Sequence, residues 1–297
     1  MLESQPQANW PHIFIVGAPR SGTSLVYEVV VTAFKLAYFT NLSHRFYMTP
    51  LAVTKLGQVF LRPRKPAFQS DYGHIAGWAA PNEGGWIWRR WFEDGAWTDE
   101  SALSSLPAQE IKATLSGMSN LFHAPFINKN VMHSNRIRLL DALFPGCLFI
   151  EVRRDPKETV RSIVRAQRRQ KGPEPDREQW WSVRPSIAGG VTDIERACRQ
   201  VVGVAHDIDL DCSHIGANRL IRINYETMCE DPRGALEDIR AFFGQHAVPA
   251  IWFAQDLIPR QFMINPSKPL PDQEEALIDE FLDNSKCGAE VPWRTSK

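Results

Sequence analysis

Residues Ile13 to Ser24 read IFIVGAPRSGTS, and the reading of this stretch decides the fold. Four apolar residues bounded by Gly17 are too few for a helix and suit a buried strand, whereas Thr23 onward carries a helical pattern. The two glycines, Gly17 and Gly22, have the spacing of a phosphate loop of the form G-x-x-x-x-G-K-[ST], set between strand and helix. Backbone N–H groups converging on a helix N-terminus make an anion cradle in that context. Thr23 stands where the loop lysine of a nucleoside triphosphatase would be, and the nearest positive charge is Arg20, which argues against an ordinary ATPase or kinase. A tight turn without a ligand is the alternative.

The same alternation continues along the chain. Strands are expected at Phe126–Lys129, Cys147–Val152 (CLFIEV) and Arg219–Asn224 (RLIRIN), with helices at Asn135–Phe144, from Pro156 to about Arg169, Thr192 to about His214, Pro232–Phe243 and Asp272–Leu282. Asp155, Pro156 and Glu158 have the spacing of an N-cap, a first helical position and a capping box. Short apolar strands separated by helices imply an α/β, three-layer P-loop-like parallel sheet flanked by helices, with its ligand beyond the strand C-termini. Two stretches break the alternation, 46–124 and 171–190, and are expected as helical and loop insertions covering that ligand edge within a single domain, 1–297. No internal repeat or low-complexity tract is present.

Composition limits the partners. The 297 residues carry 34 Lys+Arg against 34 Asp+Glu, so any anion site is local and wholesale nucleic-acid binding is not expected. Hydrophobic residues at 43% and charged residues at 23% fit a globular chain. The N-terminus lacks the pattern of a secretory signal, and the longest apolar candidate, Val26 to Phe39, is interrupted by Glu28 and Lys35, so no membrane anchor is expected. Five scattered cysteines (Cys147, Cys198, Cys212, Cys229, Cys287) without ligand spacing read as thiols of a cytoplasmic protein rather than disulfides or a metal site.

Pro19 to Leu25 (PRSGTSL) resembles the 5′-phosphosulfate loop of sulfotransferases that use 3′-phosphoadenosine-5′-phosphosulfate (PAPS), in which a Lys or Arg stands where Arg20 stands. A second signature of that family, an Arg after a buried strand and a Ser eight residues on, is matched by Arg154 and Ser162 in FIEVRRDPKETVRS. Similarity to the bacterial and tyrosylprotein-type branch extends over Lys129 to Pro145 and over Tyr225 to Pro232. The resemblance implies a PAPS-dependent sulfotransferase working without a metal. Arg20, Ser21, Gly22, Thr23 and Ser24 would hold the phosphosulfate, and Arg154 and Ser162 the 3′-phosphate. Tyr225 would touch the nucleotide, and Lys268, in INPSKPL, would reach the phosphosulfate. Tyr225 reads equally as a strand-end core residue and Lys268 as an exposed loop lysine.

The residues also argue for themselves. An Arg just before a helix N-terminus can make a charge-assisted pair with a phosphate. From Arg153 to Lys171 eight basic residues face only Asp155 and Glu158, although a solvated helix face explains Arg161, Arg165, Arg168 and Arg169 as well. An acceptor hydroxyl needs a general base. No Asp or Glu occurs between Glu28 and Asp71, which leaves Glu28, Asp71, Glu83, Glu93 and Asp94 near the loop. Glu28 reads as capping or solvating its helix. Glu83, in APNEGGW, resembles the P-x-E stretch that supplies the base in related bacterial enzymes, although tyrosylprotein-type members place their Glu nearer the loop. His44 and His74 are alternates. Of the tryptophans at 78, 86, 88, 91 and 97, most suit a core and a minority a pocket, with Trp86 and Trp88 on opposite sides; Trp180 and Trp181 crowd the second insertion. The expected acceptor is a small molecule, lipid or metabolite, and the group that receives the sulfuryl is a hydroxyl or an amine. A small-molecule kinase and a non-catalytic nucleotide- or nucleic-acid-associated module are the rival readings.

Overall fold

The computed structural model describes residues 10–61, 65–69, 74–92, 97–171, 182–186, 192–264 and 266–288. Strand β1 (Ile13–Val16) leads through the glycine loop into α1 (Thr23–Ala33), followed by α2 (Asn41–Arg45), α3 (Pro50–Phe60), α4 (Gly85–Trp88) and α5 (Ala108–Phe122). Next come β2 (Ile127–Lys129), α6 (Ile137–Leu143), β3 (Leu148–Arg153), α7 (Pro156–Lys171) and α8 (Asp193–Ile215). The described chain closes with β4 (Leu220–Asn224), α9 (Tyr225–Glu230), α10 (Pro232–Gln245) and α11 (Asp272–Gly288).

The strands pair in parallel in the order β2-β1-β3-β4. Ile13 is in register with Ile127 on one side and Leu148 on the other, and Phe149 with Leu220. The chain goes from β1 outward to β2, then crosses back over β1 to reach β3. The sheet therefore reverses direction at β1, the place where such sheets bind ligands.

Period-two alternation sorts the strand residues onto two faces. Ile13, Ile15, Leu148, Ile150 and Val152 join α1 and α10 in one buried cluster. Phe14, Val16 and Phe149 join α5, α6 and α8 in another. That explains why β1 and β3 read as unbroken apolar runs: both faces are covered. The exception is Glu151, which is 1% exposed, bonds Arg153 and Arg222, and is pushed up from its ordinary value first by burial, with Arg153 opposing.

Part of the region from 46 to 124 lies against the sheet. Ile111, Leu115 and Met118 of α5 are buried with Phe14 and Phe149, so α5 walls the sheet. Trp88 and Trp91 are buried in that cluster, while Trp78 and Trp86 are exposed, which puts Trp86 and Trp88 on opposite sides. Of 171–190, residues 172–181 and 187–190, including Trp180 and Trp181, lie outside the described residues; Val183 is buried with α8. Helix α9 was not anticipated, although Asn224 caps it by accepting from the Thr227 N–H.

Candidate active site

The loop leaves β1 at Gly17, whose φ of 145° brings the backbone so close to β3 that a Cβ there would sit 2.6 Å from the Val152 carbonyl oxygen. Ser134, just beyond β2, braces the same residue: its hydroxyl accepts from the Gly17 N–H (3.0 Å) and donates to the Gly17 carbonyl (3.2 Å). Arg20, a non-glycine residue, has a left-handed φ of 67°, which costs free energy and is held by surrounding structure. Gly22 (φ 92°) is the N-cap of α1, and no side chain caps that helix. The first-turn N–H groups of α1 thus face the loop interior, the arrangement that suits an anion. Ser21 is 2% exposed, and its hydroxyl has no hydrogen-bond partner among the described residues. A buried orphan hydroxyl inside an anion-shaped loop fits an oxyanion ligand.

The two distant sequence signatures meet here. Arg20 Nε donates to Ser162 Oγ at 3.0 Å across 142 residues, and Arg154 Nη1 approaches the Arg20 carbonyl at 3.5 Å. The Arg154 guanidinium lies 5.0 Å from the centre of the Tyr225 ring, a cation–π arrangement. The same ring touches Gly22 so tightly that an added Cβ would lie 2.1 Å from Tyr225 Cδ2. Burial, more than any neighbour, pushes the Tyr225 phenol up to about 12. Around Arg154 stand Glu158 (3.8 Å) and Glu226 (4.0 Å). Asp155 does cap α7, accepting from the Glu158 N–H at 2.8 Å, but the Asp155 N–H donates to Glu226 rather than Glu158. Glu158 instead accepts from Arg161 and the Ser267 N–H. Only half of the expected capping box forms.

Sequence reasoning assigned no role to Lys129. Its ammonium is buried at the end of β2, donating to Ser24 Oγ at 3.1 Å and ion-paired with Glu83. A strand-end lysine ordinarily reads as a solvated edge, and its partner lies 46 residues away, so the pair leaves no local signal. Asn130 Nδ2 at 3.5 Å from the Glu83 carbonyl and Asn128 Nδ2 at 3.3 Å from the Asn82 carbonyl tie the Glu83 segment to β2. Burial, the largest influence, lowers the His44 imidazole from its ordinary value, with the Glu83 charge raising it and His74 lowering it. Glu28, expected to cap or solvate α1, is 1% exposed and accepts from the Ala67 N–H at 3.1 Å. Asp71, Glu93 and Asp94 lie outside the described residues.

Lys268 is exposed, and its segment rests on α7, with its carbonyl accepting from Arg165 Nε at 2.9 Å. The basic face of α7 is met by acids: Lys157 pairs with Asp279 (2.6 Å), Arg161 with Glu275 (2.5 Å), and Arg168 with Asp193 (2.8 Å) and Glu274 (3.0 Å). This removes the only support for a nucleic-acid-associated module. Among the described residues no cluster of His, Cys, Asp or Glu is arranged to hold a metal ion, and no helix is long and apolar enough to cross a membrane.

A family model described as "Sulfotransferase family" matches residues 11–248, a span that contains β1, the loop, Lys129, Arg154, Ser162 and Tyr225. The chain belongs to the sulfotransferase family. No curated protein matches the sequence of this sulfotransferase. Its fold is shared with sulfotransferase STF1 from Mycobacterium tuberculosis H37Rv, at a TM-score of 0.53 and 14% identity over 93% of this chain and 77% of that one. It is shared too with sulfotransferase STF9 from Mycobacterium avium, at 0.51 and 16% over 93% and 68%. The four-stranded parallel sheet with helices on both faces is the common element. The enzyme therefore transfers a sulfuryl group, as the loop sequence implies.

Proposed function

We propose that this sulfotransferase takes its sulfuryl group from PAPS and passes it to a hydroxyl of a small-molecule, lipid or metabolite acceptor in the cytoplasm. The observation that carries the donor reading is the junction of the two signatures, Arg20 on Ser162 with Arg154 against the Arg20 carbonyl. Bound PAPS would supply an activated sulfate whose leaving group is adenosine 3′,5′-bisphosphate. The first-turn N–H groups of α1, with Arg20, Ser21, Gly22, Thr23 and Ser24, would hold the 5′-phosphosulfate. Arg154 and Ser162 would hold the 3′-phosphate, and the Tyr225 ring would fix the Arg154 plane.

Glu83 would accept the acceptor proton as general base. Lys129, bonded to both Glu83 and Ser24, joins the base to the loop, and its charge would offset the negative charge that grows on the leaving oxygen. Lys268 would swing in from its exposed segment beside α7. The donor reading needs no metal, and one domain carries all of these groups.

Calorimetry tests the donor. Adenosine 3′,5′-bisphosphate should bind without metal and more tightly than ATP with magnesium. Arg154→Ala should weaken it by the 1.5–3 kcal/mol of a charged hydrogen bond, roughly 10- to 150-fold. Preference for ATP, or full affinity in the variant, refutes the assignment.

A further inference from the structure

A cavity of about 380 Å³ lies along the side of α1, within the size range of small-molecule sites. Val31 and Thr32 of α1, Tyr38 and Thr40 of the following segment, Thr54 of α3 and Pro81 form much of its wall, and among the described residues no charged side chain lines it. Apolar side chains make up most of this wall, beside the polar groups of Thr32, Tyr38, Thr40, Thr54 and Gln58, so it suits an occupant whose surface is mainly apolar, because unpaired polar groups would lose water there. Among these polar groups Thr54 is set apart: it is 3% exposed, and its hydroxyl has no hydrogen-bond partner among the described residues.

The cavity shares the 81–83 segment and helix α1 with the Glu83 site. Ser24, Glu28, Val31 and Thr32 fall on one stripe of α1, spaced by four, seven and eight residues. Ser24 touches Lys129 at the loop end, while Val31 and Thr32 line the cavity. The separation along the helix is about 10–12 Å at 1.5 Å per residue. Pro81, two residues before Glu83, is bridged to Thr40 on the same wall. The Glu28 carboxylate, on the stripe between, holds the Ala67 N–H and so fixes Pro66 over the cavity. At the far end Phe253 and Leu257 are 71% and 53% exposed, an apolar rim on an apolar chamber.

We propose that this cavity receives the hydrocarbon tail of the acceptor, which makes the acceptor an aliphatic alcohol with its hydroxyl at Glu83. The inference rests on the reading of Glu83 as the reacting end. In the reaction the alcohol oxygen forms a bond to sulfur, the bond from sulfur to the phosphate oxygen breaks, the proton passes to Glu83, and the electron pair leaves on the bisphosphate.

The test uses the full chain and straight-chain primary alcohols from butanol to decanol. They displace the apolar fluorophore N-phenyl-1-naphthylamine in the presence of adenosine 3′,5′-bisphosphate, and sulfate transfer from labelled donor is followed in parallel. Affinity should rise about fourfold per methylene until the chamber is filled. Thr32→Phe, which puts a ring into the chamber, should end that rise at a shorter chain. Thr54→Val, which keeps the shape and removes the orphan hydroxyl, should tighten decanol. Flat affinity across the series, or an unaltered series in both variants, overturns the cavity assignment while the bisphosphate still binds. Failure of the bisphosphate to bind the parent protein overturns the donor reading instead. Tail-dependent binding with no transfer to any alcohol places the hydroxyl away from Glu83 and overturns the proposal as stated.

Discussion

Gly22 is the narrowest point at which the loop and the Arg154 side of the site can be tested together. Its φ of 92° and ψ of 8° lie in the left-handed region, and the Tyr225 ring fills the space where a Cβ would go. Gly22→Ala carries two separable costs. The left-handed backbone costs about 1–2 kcal/mol for a residue with a Cβ. The overlap, 2.1 Å to Cδ2 and 2.4 Å to Cε2, forces the ring out of its place beside Arg154 at a further cost of about 1–3 kcal/mol. The sum is about 2–5 kcal/mol. Both costs are borne by the folded chain with or without the donor, so they should appear as lost stability and a lower melting temperature, and displacement of the ring from Arg154 should also weaken bisphosphate binding. Tyr225→Ala makes room for the methyl group, so in that background Gly22→Ala should cost only the backbone share of about 1–2 kcal/mol. Calorimetric dissociation constants and thermal melts of the four proteins form a double-mutant cycle. An equal cost of Gly22→Ala in both backgrounds would refute the packing argument, and no cost in either would refute the loop geometry itself.

Two further outcomes follow from named contacts. Glu83→Gln should leave bisphosphate affinity within a few-fold and lower turnover by roughly 10²- to 10⁴-fold, the range of a lost general base; full turnover in steady-state assays would move the base to His44 or His74. Glu275, held first by Arg161 and then by the Leu270 N–H and Lys157, is lowered from 4.5 to about 2. A depressed carboxyl stabilises the fold above its unfolded value and loses that contribution as pH falls. The melting-temperature gap between the parent and Glu275→Gln should therefore be full above about 4.5 and shrink toward about 2. A gap that does not change with pH would refute the ion-pair account.

The parts of the fold legible in the sequence were those whose cause is local. An apolar run closed by a glycine gave β1 and the loop, and Asp155-Pro156 gave the start of α7, because the caps and strand limits lie within a few residues of the signal. The long-range parts were not legible. Half of the capping box failed because Glu226, 71 residues away, takes the Asp155 N–H. Glu28 looked solvated because its partner Ala67 is 39 residues on. The composition of 46–124, rich in Pro, Gly and Trp, suggested a cap throughout, yet Ile111, Leu115 and Met118 follow a helical stripe that could have marked α5 as a wall. Lys129 showed nothing in sequence beyond a charge at the end of a short strand.

Charge along α7 is largely met by carboxylates of α8 and α11. Lys157, Arg161 and Arg168 are met by Asp279, Glu275 and Glu274 of α11 and by Asp193 of α8. Arg154 is different. Glu158 and Glu226 stand 3.8 and 4.0 Å from its guanidinium, which lies over the Tyr225 ring. Arg154 stands just before the first turn of α7, against the Arg20 carbonyl and near the N-terminal end of α1. Helix α11 begins at Asp272, beyond the family-matched span that ends at 248. The neutralisation of α7 therefore depends on a segment outside that span, so an isolated 11–248 fragment would expose a basic helix face that the whole chain covers.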